Sequence, residues 1–131
     1  MSERFPDWKL PEFDESGMTK WQWKCQYHEN LELGPLTDIG SFTYINARFG
    51  VEIQEGVEVG SHCSIYSHST IDDKQGKVVI KKGAKIGSHS VVMPGVTIGE
   101  NAVIGAFSFV NKDIPAGSVA FGVPVRVQGK E

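Results

Sequence analysis

Residues 80–110 read IKKGAKIGSHSVVMPGVTIGENAVIGAFSFV, with an aliphatic side chain at every sixth position: Ile80, Ile86, Val92, Ile98, Ile104 and Val110. A helix repeats its buried face every 3.6 residues and a strand every two, so neither alone explains a period of six. Three strand-like pairs per side, part of each side spent on a turn, do explain it. Three such sides close an eighteen-residue triangular coil. Stacked coils pair backbones at about 4.8 Å and bury the aliphatic column as a shared core.

The ladder runs backwards through Ile71, Ile65, Val59 and Ile53, then Ile45, Ile39 and Leu33, making thirteen hexads. Glycine often follows the aliphatic residue (Gly34, Gly40, Gly60, Gly87, Gly99, Gly105), which suggests a corner that uses glycine's freedom of φ. A slim residue follows four places after the aliphatic one, as at Cys63, Ala84, Ser90 and Ala102. The register slips twice, by two residues between Ile45 and Ile53 and by three between Ile71 and Ile80. Counted this way, side one carries Leu33, Ile53, Ile71, Val92 and Val110. Side two carries Ile39, Val59, Ile80 and Ile98, and side three Ile45, Ile65, Ile86 and Ile104. The expected fold is all-β: a parallel β-helix of four full coils and the start of a fifth.

Three segments follow. Residues 1–32 hold all three tryptophans, Trp8, Trp21 and Trp23, and are expected to cap the open end of the coil; an aromatic substrate platform is the other use for them. Residues 33–114 form the β-helix. Residues 115–131 leave it at Pro115 as an extended tail.

The bulk numbers exclude several classes. With 131 residues the chain supports one domain, and a net charge of −3 with scattered basic residues argues against a nucleic-acid surface. No apolar run approaches the roughly 18 residues of a membrane span. Cys25 and Cys63 show no metal-binding spacing and read as reduced thiols, which makes a cytoplasmic location the expectation.

The segment IGSHSVVMPGVTIGENAVIGAFSFVNKDIPAGSVAFGVPVRV resembles the C-terminal half of the hexapeptide-repeat acyltransferases, in particular the acetyl-CoA-dependent sugar and xenobiotic acetyltransferases. The closing NKDIPAGSVAFGVPVRV carries the more specific part of the likeness. The resemblance implies a left-handed coil and a homotrimer with active sites in the clefts between subunits. It also implies acetyl-CoA as co-substrate, and as acceptor a hydroxyl or amine on a sugar, such as a nucleotide-linked amino sugar or a surface-polysaccharide precursor.

Acetyl transfer from a thioester needs a base, and histidine is the natural one near neutrality. His68 sits on the hexad before the longer slip, comparable to the family's catalytic position, and is the expected general base. A loop leaving the coil there would carry Asp72 and Asp73 over a cleft toward substrate. His62 and His89 occupy the fourth hexad position, where a left-handed backbone favours His and Asn. On the side count above, His89 stacks one coil from His68, so it would orient that base or replace it. By resemblance Asn46 grips the acceptor, though a corner asparagine explains it equally. By the same likeness the backbones of Ser88 and Ala106 meet the pantetheine arm, Asn111 and Lys112 the adenosine end, and Arg126 a phosphate. No metal is expected. Two other classes compete: a γ-carbonic-anhydrase-like zinc enzyme, whose His spacing differs from 62–68–89, and a non-catalytic β-helix that binds a partner on its flat faces.

Overall fold

The structure is a computed structural model, and it describes residues 6–130. Three parallel sheets wrap one core. Side one is built from Leu31–Leu33, Val51–Ile53, Val78–Ile80 and Thr97–Ile98. Side two has Asp38–Ile39, Glu58–Val59, Lys85–Ile86, Val103–Ile104 and Ser118–Phe121, with Arg126–Lys130 added antiparallel at its edge. Side three has Lys24–Gln26, Tyr44–Asn46, Ser64–Tyr66, Val91–Val92 and Phe109–Val110. This is the parallel β-helix that the hexads predict, of the left-handed kind that the resemblance implies. Among the described residues, no helix is long and apolar enough to cross a membrane.

The core follows the ladder, with one correction. Ile45, Ile53, Ile65, Ile80, Ile98 and Ile104 are all fully buried, each contributing roughly 1.5–3 kcal/mol of burial. Ile71, assigned to side one by counting, is 99 % exposed. It rides on an outward hairpin made by His68–Ser69 and Lys74–Gln75. The excursion therefore spans residues 67–77 and removes a whole hexad from the prism. Every later side shifts by one: Ile80 and Ile98 pair with Ile53 on side one, Ile86 and Ile104 with Val59 on side two, and Val92 and Val110 with Ile65 on side three.

The corner glycines have a different cause from the one their position suggests. None of Gly40, Gly60, Gly87 and Gly99 takes a left-handed φ; a Cβ on Gly87 would instead lie 2.5 Å from the Ala106 nitrogen in the coil above. Close approach of backbones excludes a side chain there. The left-handed φ falls two residues later, at His62, His89, Asn101 and Phe107 among others. The slim residues that come next are buried, and Ser90 and Ser108 hand their hydroxyl protons to the Gly105 carbonyl at 3.2 and 2.7 Å.

Coil pairing reaches past the repeat at both ends. Lys24–Gln26 pairs with Tyr44–Asn46, and Ser118–Phe121 pairs with Val103–Ile104, so part of the expected tail is a fifth-coil strand. At the N-terminal end Trp23 is 2 % exposed within the main core cluster, Phe13 meets its ring edge-on at 5.5 Å, and the Trp8 indole donates to the Thr37 carbonyl at 2.9 Å.

Candidate active site

Both register slips fall at the corner where side three hands over to side one, in successive coils, and a pocket forms there. Residues 47–50 make the lower bulge, and the 67–77 hairpin rises above it. Ser67, fully buried, ties them: its hydroxyl donates to the Asn46 carbonyl at 2.8 Å and accepts the Phe49 N–H at 3.0 Å. An open pocket of about 490 Å³ lies against side three, lined by Gln26, Tyr44, Asn46, Tyr66, His68 and the hairpin residues Ser69–Asp72.

His68 is 7 % exposed and sits at the root of the hairpin. Its Nδ1 lies 3.5 Å from an Arg48 guanidinium nitrogen and its Nε2 lies 3.3 Å from an Asp73 carboxylate oxygen. The Phe49 ring meets the imidazole edge to face at 5.2 Å. Among its neighbours, burial pushes the Tyr44 phenol above its ordinary pKa. The Tyr44 hydroxyl hydrogen-bonds Gln26, and the Asn46 amide approaches that hydroxyl at 3.5 Å. Asn46 is 8 % exposed, and its Oδ1 accepts the Arg48 N–H at 3.1 Å. Its oxygen builds the corner, as the corner reading expects, and its amide nitrogen lies on the pocket side, near the Tyr44 hydroxyl. A hydrogen bond from Ser69 holds the Asp72 carboxyl below its ordinary value.

His89 is elsewhere. Its ring stacks on His62 at 4.7 Å with planes 3° apart and on Phe107 at 4.9 Å, at the corner between sides two and three. The sequence reading placed it beside His68; losing a hexad to the hairpin moves it one corner away. His62 and His89 both carry left-handed φ, 58° and 62°, whereas His68 does not. The three histidines do not converge within one chain, and among the described residues no group of three metal-ligating side chains comes together.

Ser88 and Ala106 stack as expected, with Phe107 N–H on the Ser88 carbonyl at 3.0 Å, at the His89 corner. Among the described residues neither the Ser88 nor the Ala106 N–H finds an acceptor, so two backbone donors stand unpaired in adjacent coils. Asn111 follows Phe109–Val110 at the upper end of side three, with Lys112 beside it, and both are exposed. Arg126 lies on the edge strand of side two opposite Phe121. One chain therefore gathers Asn46, His68, Asp72 and Asp73 at one corner, and Ser88 and Ala106 at another. The sequence reading missed Arg48, Tyr44 and Tyr66. The eight-residue slip marks where Arg48 lies but gives no sign of its contact with His68.

The three-sided coil is the fold of known hexapeptide acetyltransferases, and comparison with known proteins shows how far the likeness extends. Residues 77–112 match the bacterial transferase hexapeptide pattern of six repeats. The galactoside O-acetyltransferase of Lactococcus lactis is 36% identical over 112 residues, 74% of this chain and 54% of that protein. The dTDP-3-amino-3,6-dideoxy-α-D-galactopyranose 3-N-acetyltransferase of Aneurinibacillus thermoaerophilus is 48% identical over 54 residues, 41% of this chain and 28% of that protein. A galactoside acetyltransferase solved in complex with coenzyme A superposes with a TM-score of 0.72 at 32% identity, covering 82% of this chain and 58% of that one. Over residues 77–112 the chain carries the hexapeptide repeat of bacterial transferases, and along most of its length it is similar to acetyltransferases built on that repeat. It spans 28% and 54% of the length of these two curated relatives.

Proposed function

We propose that the chain transfers an acetyl group from acetyl-CoA to a hydroxyl or amine of a sugar, with His68 as general base, in the cytoplasm. The observation that carries this reading is the placement of His68: a nearly buried imidazole, gripped on both ring nitrogens, at the wall of a pocket lined by amide and phenol groups suited to a polyol. The coenzyme supplies a thioester carbonyl. His68 takes the proton of the acceptor O–H or N–H as the new bond to carbon forms, and returns it to the sulfur as the C–S bond breaks. Asn46 and Asp72 orient the acceptor, and Asp73 steadies the base.

Relatives with sugar-acetyltransferase names and a fold neighbour bound to coenzyme A support the reaction class. The free N–H groups of Ser88 and Ala106 fit the pantetheine amides, with Asn111, Lys112 and Arg126 toward the nucleotide end. These groups stand at a different corner from His68. The reading therefore requires a homotrimer, in which one subunit's His68 corner faces another's Ser88 corner across a cleft.

The test is thiol release from acetyl-CoA with a panel of galactosides and dTDP-linked amino sugars, run on the wild type and on His68→Ala. Turnover with one acceptor, lost in the variant, supports the reading. No turnover with any acceptor, and no acetyl-CoA binding, leaves a β-helix that binds a partner without chemistry.

A further inference from the structure

Neither ring nitrogen of His68 is free in the resting chain, and the two groups that occupy them are chemically opposite. A guanidinium has five N–H donors and no acceptor, so a ring nitrogen facing it presents a lone pair. A carboxylate only accepts, so a ring nitrogen facing it carries a hydrogen. Arg48 faces Nδ1 and Asp73 faces Nε2. We infer that Arg48 and Asp73 are positioning residues that together lock neutral His68 in the Nε2–H form, making Nδ1 the nitrogen that accepts the acceptor's proton. The inference rests on the reading of His68 as the base.

The two partners differ in how they are held. Asp73 lies in the hairpin turn between His68 and its strand partner Gln75, at a left-handed φ of 56°, and it also accepts from the Gln75 amide at 3.3 Å. Its side chain is 81 % exposed but lies on the same hairpin as the imidazole, and a carboxylate there favours the charge that develops on the ring, the role a carboxylate plays behind a catalytic histidine. Arg48 is exposed, and its guanidinium rests over the Phe49 ring at 5.2 Å. An exposed arginine can swing away without unfolding the corner. It therefore acts as a removable cover over Nδ1, displaced when an acceptor hydroxyl or amine takes its place. Of these two residues, Arg48 makes the sharper test, because it faces Nδ1, the nitrogen assigned to the proton transfer.

The experiment is two-bond proton–nitrogen NMR on the full chain labelled with ¹⁵N-histidine, recorded well above the imidazole titration. His68→Ala identifies which of the four histidine signals is His68. The wild type is expected to show the Nε2–H pattern. Arg48→Ala is expected to shift the signal toward a mixture with the Nδ1–H form, and Arg48→Lys, which restores a donor, to bring the pattern back. An Nδ1–H pattern in the wild type overturns the inference, as does an unchanged pattern in Arg48→Ala. The readout needs no turnover. A failed lock and a failed assignment of His68 as base are thus separately visible, since loss of the base role appears only in the acetyl-CoA assay.

Discussion

Ser67 holds Asn46 through two hydrogen bonds, its N–H at 2.9 Å and its hydroxyl at 2.8 Å both reaching the Asn46 carbonyl. One hydroxyl, by also accepting from Phe49, fastens the hairpin that carries His68 to the bulge that carries Arg48. Ser67→Ala removes that tie and leaves the Phe49 N–H without its acceptor at a part-buried position. The expected loss is about 1–3 kcal/mol of stability, read as a lower urea midpoint at unchanged slope. A midpoint equal to wild type would show that the two bulges stand independently.

The hexad ladder made the coil legible because burial on a closed triangular section admits few side chains, and those few recur. It failed at Ile71 for a definite reason. An aliphatic residue six places after Ile65 keeps the period on paper, yet the chain has already left the prism at Ser67, and periodicity cannot tell a hexad inside the coil from six residues of hairpin. The mistake propagated: it put His89 beside His68 and Val92 on the wrong side. His68 stood out because it adjoins a break in register, and Asn46 because of the family resemblance. Arg48 did not, since its importance depends on two bulges meeting at one corner, which only the corrected side count brings together.

The corner glycines separate two reasons for being glycine. At Gly87 φ is ordinary, but an added Cβ would lie 2.5 Å from one backbone nitrogen and 2.8 Å from the Ala106 Cα. At Gly95 φ is +81° and nothing lies within 4 Å of the added atom. Gly87→Ala must push two coils apart and is expected to cost upwards of about 3 kcal/mol. Gly95→Ala meets only backbone strain, about 1–2 kcal/mol. Chemical denaturation of both variants checks the order, and a larger loss at Gly95 would contradict the close-approach account.

Cys25 links the cap end of the coil to pH. Burial, with Glu29 adding to it, pushes its thiol from 9.0 up to about 12. Between those values the folded chain keeps a proton that the unfolded chain releases. The contribution to stability is thus complete below pH 9.0 and declines as pH rises toward 12, by roughly 1.4 kcal/mol per pH unit. Cys25→Ala is expected to flatten the alkaline limb of the stability curve, measured by denaturant titration across that range. A limb of unchanged slope in the variant would assign the alkaline loss to other groups. Burial likewise raises the Cys63 thiol, so both cysteines are expected to resist alkylation in the native chain and to react once it is unfolded.

The two candidate bases can be told apart because their surroundings ask for different things. His89 occupies a left-handed position between two rings, in the same hexad place that Asn101 fills in the next hexad but one, and asparagine tolerates that conformation well. His89→Asn is therefore expected to keep the fold and to retain turnover within a few-fold of wild type, giving up only ring stacking. His68 has an ordinary strand backbone and two polar partners, so asparagine there keeps a polar group but loses the proton acceptor. His68→Asn is expected to lower kcat by about 10²–10⁴ while acetyl-CoA affinity, measured by calorimetry, stays unchanged. Should the losses fall the other way round, with His89→Asn inactive and His68→Asn active, the chemistry belongs to the ring-stacked corner beside Ser88 and Ala106, and the hairpin serves only to shape the pocket.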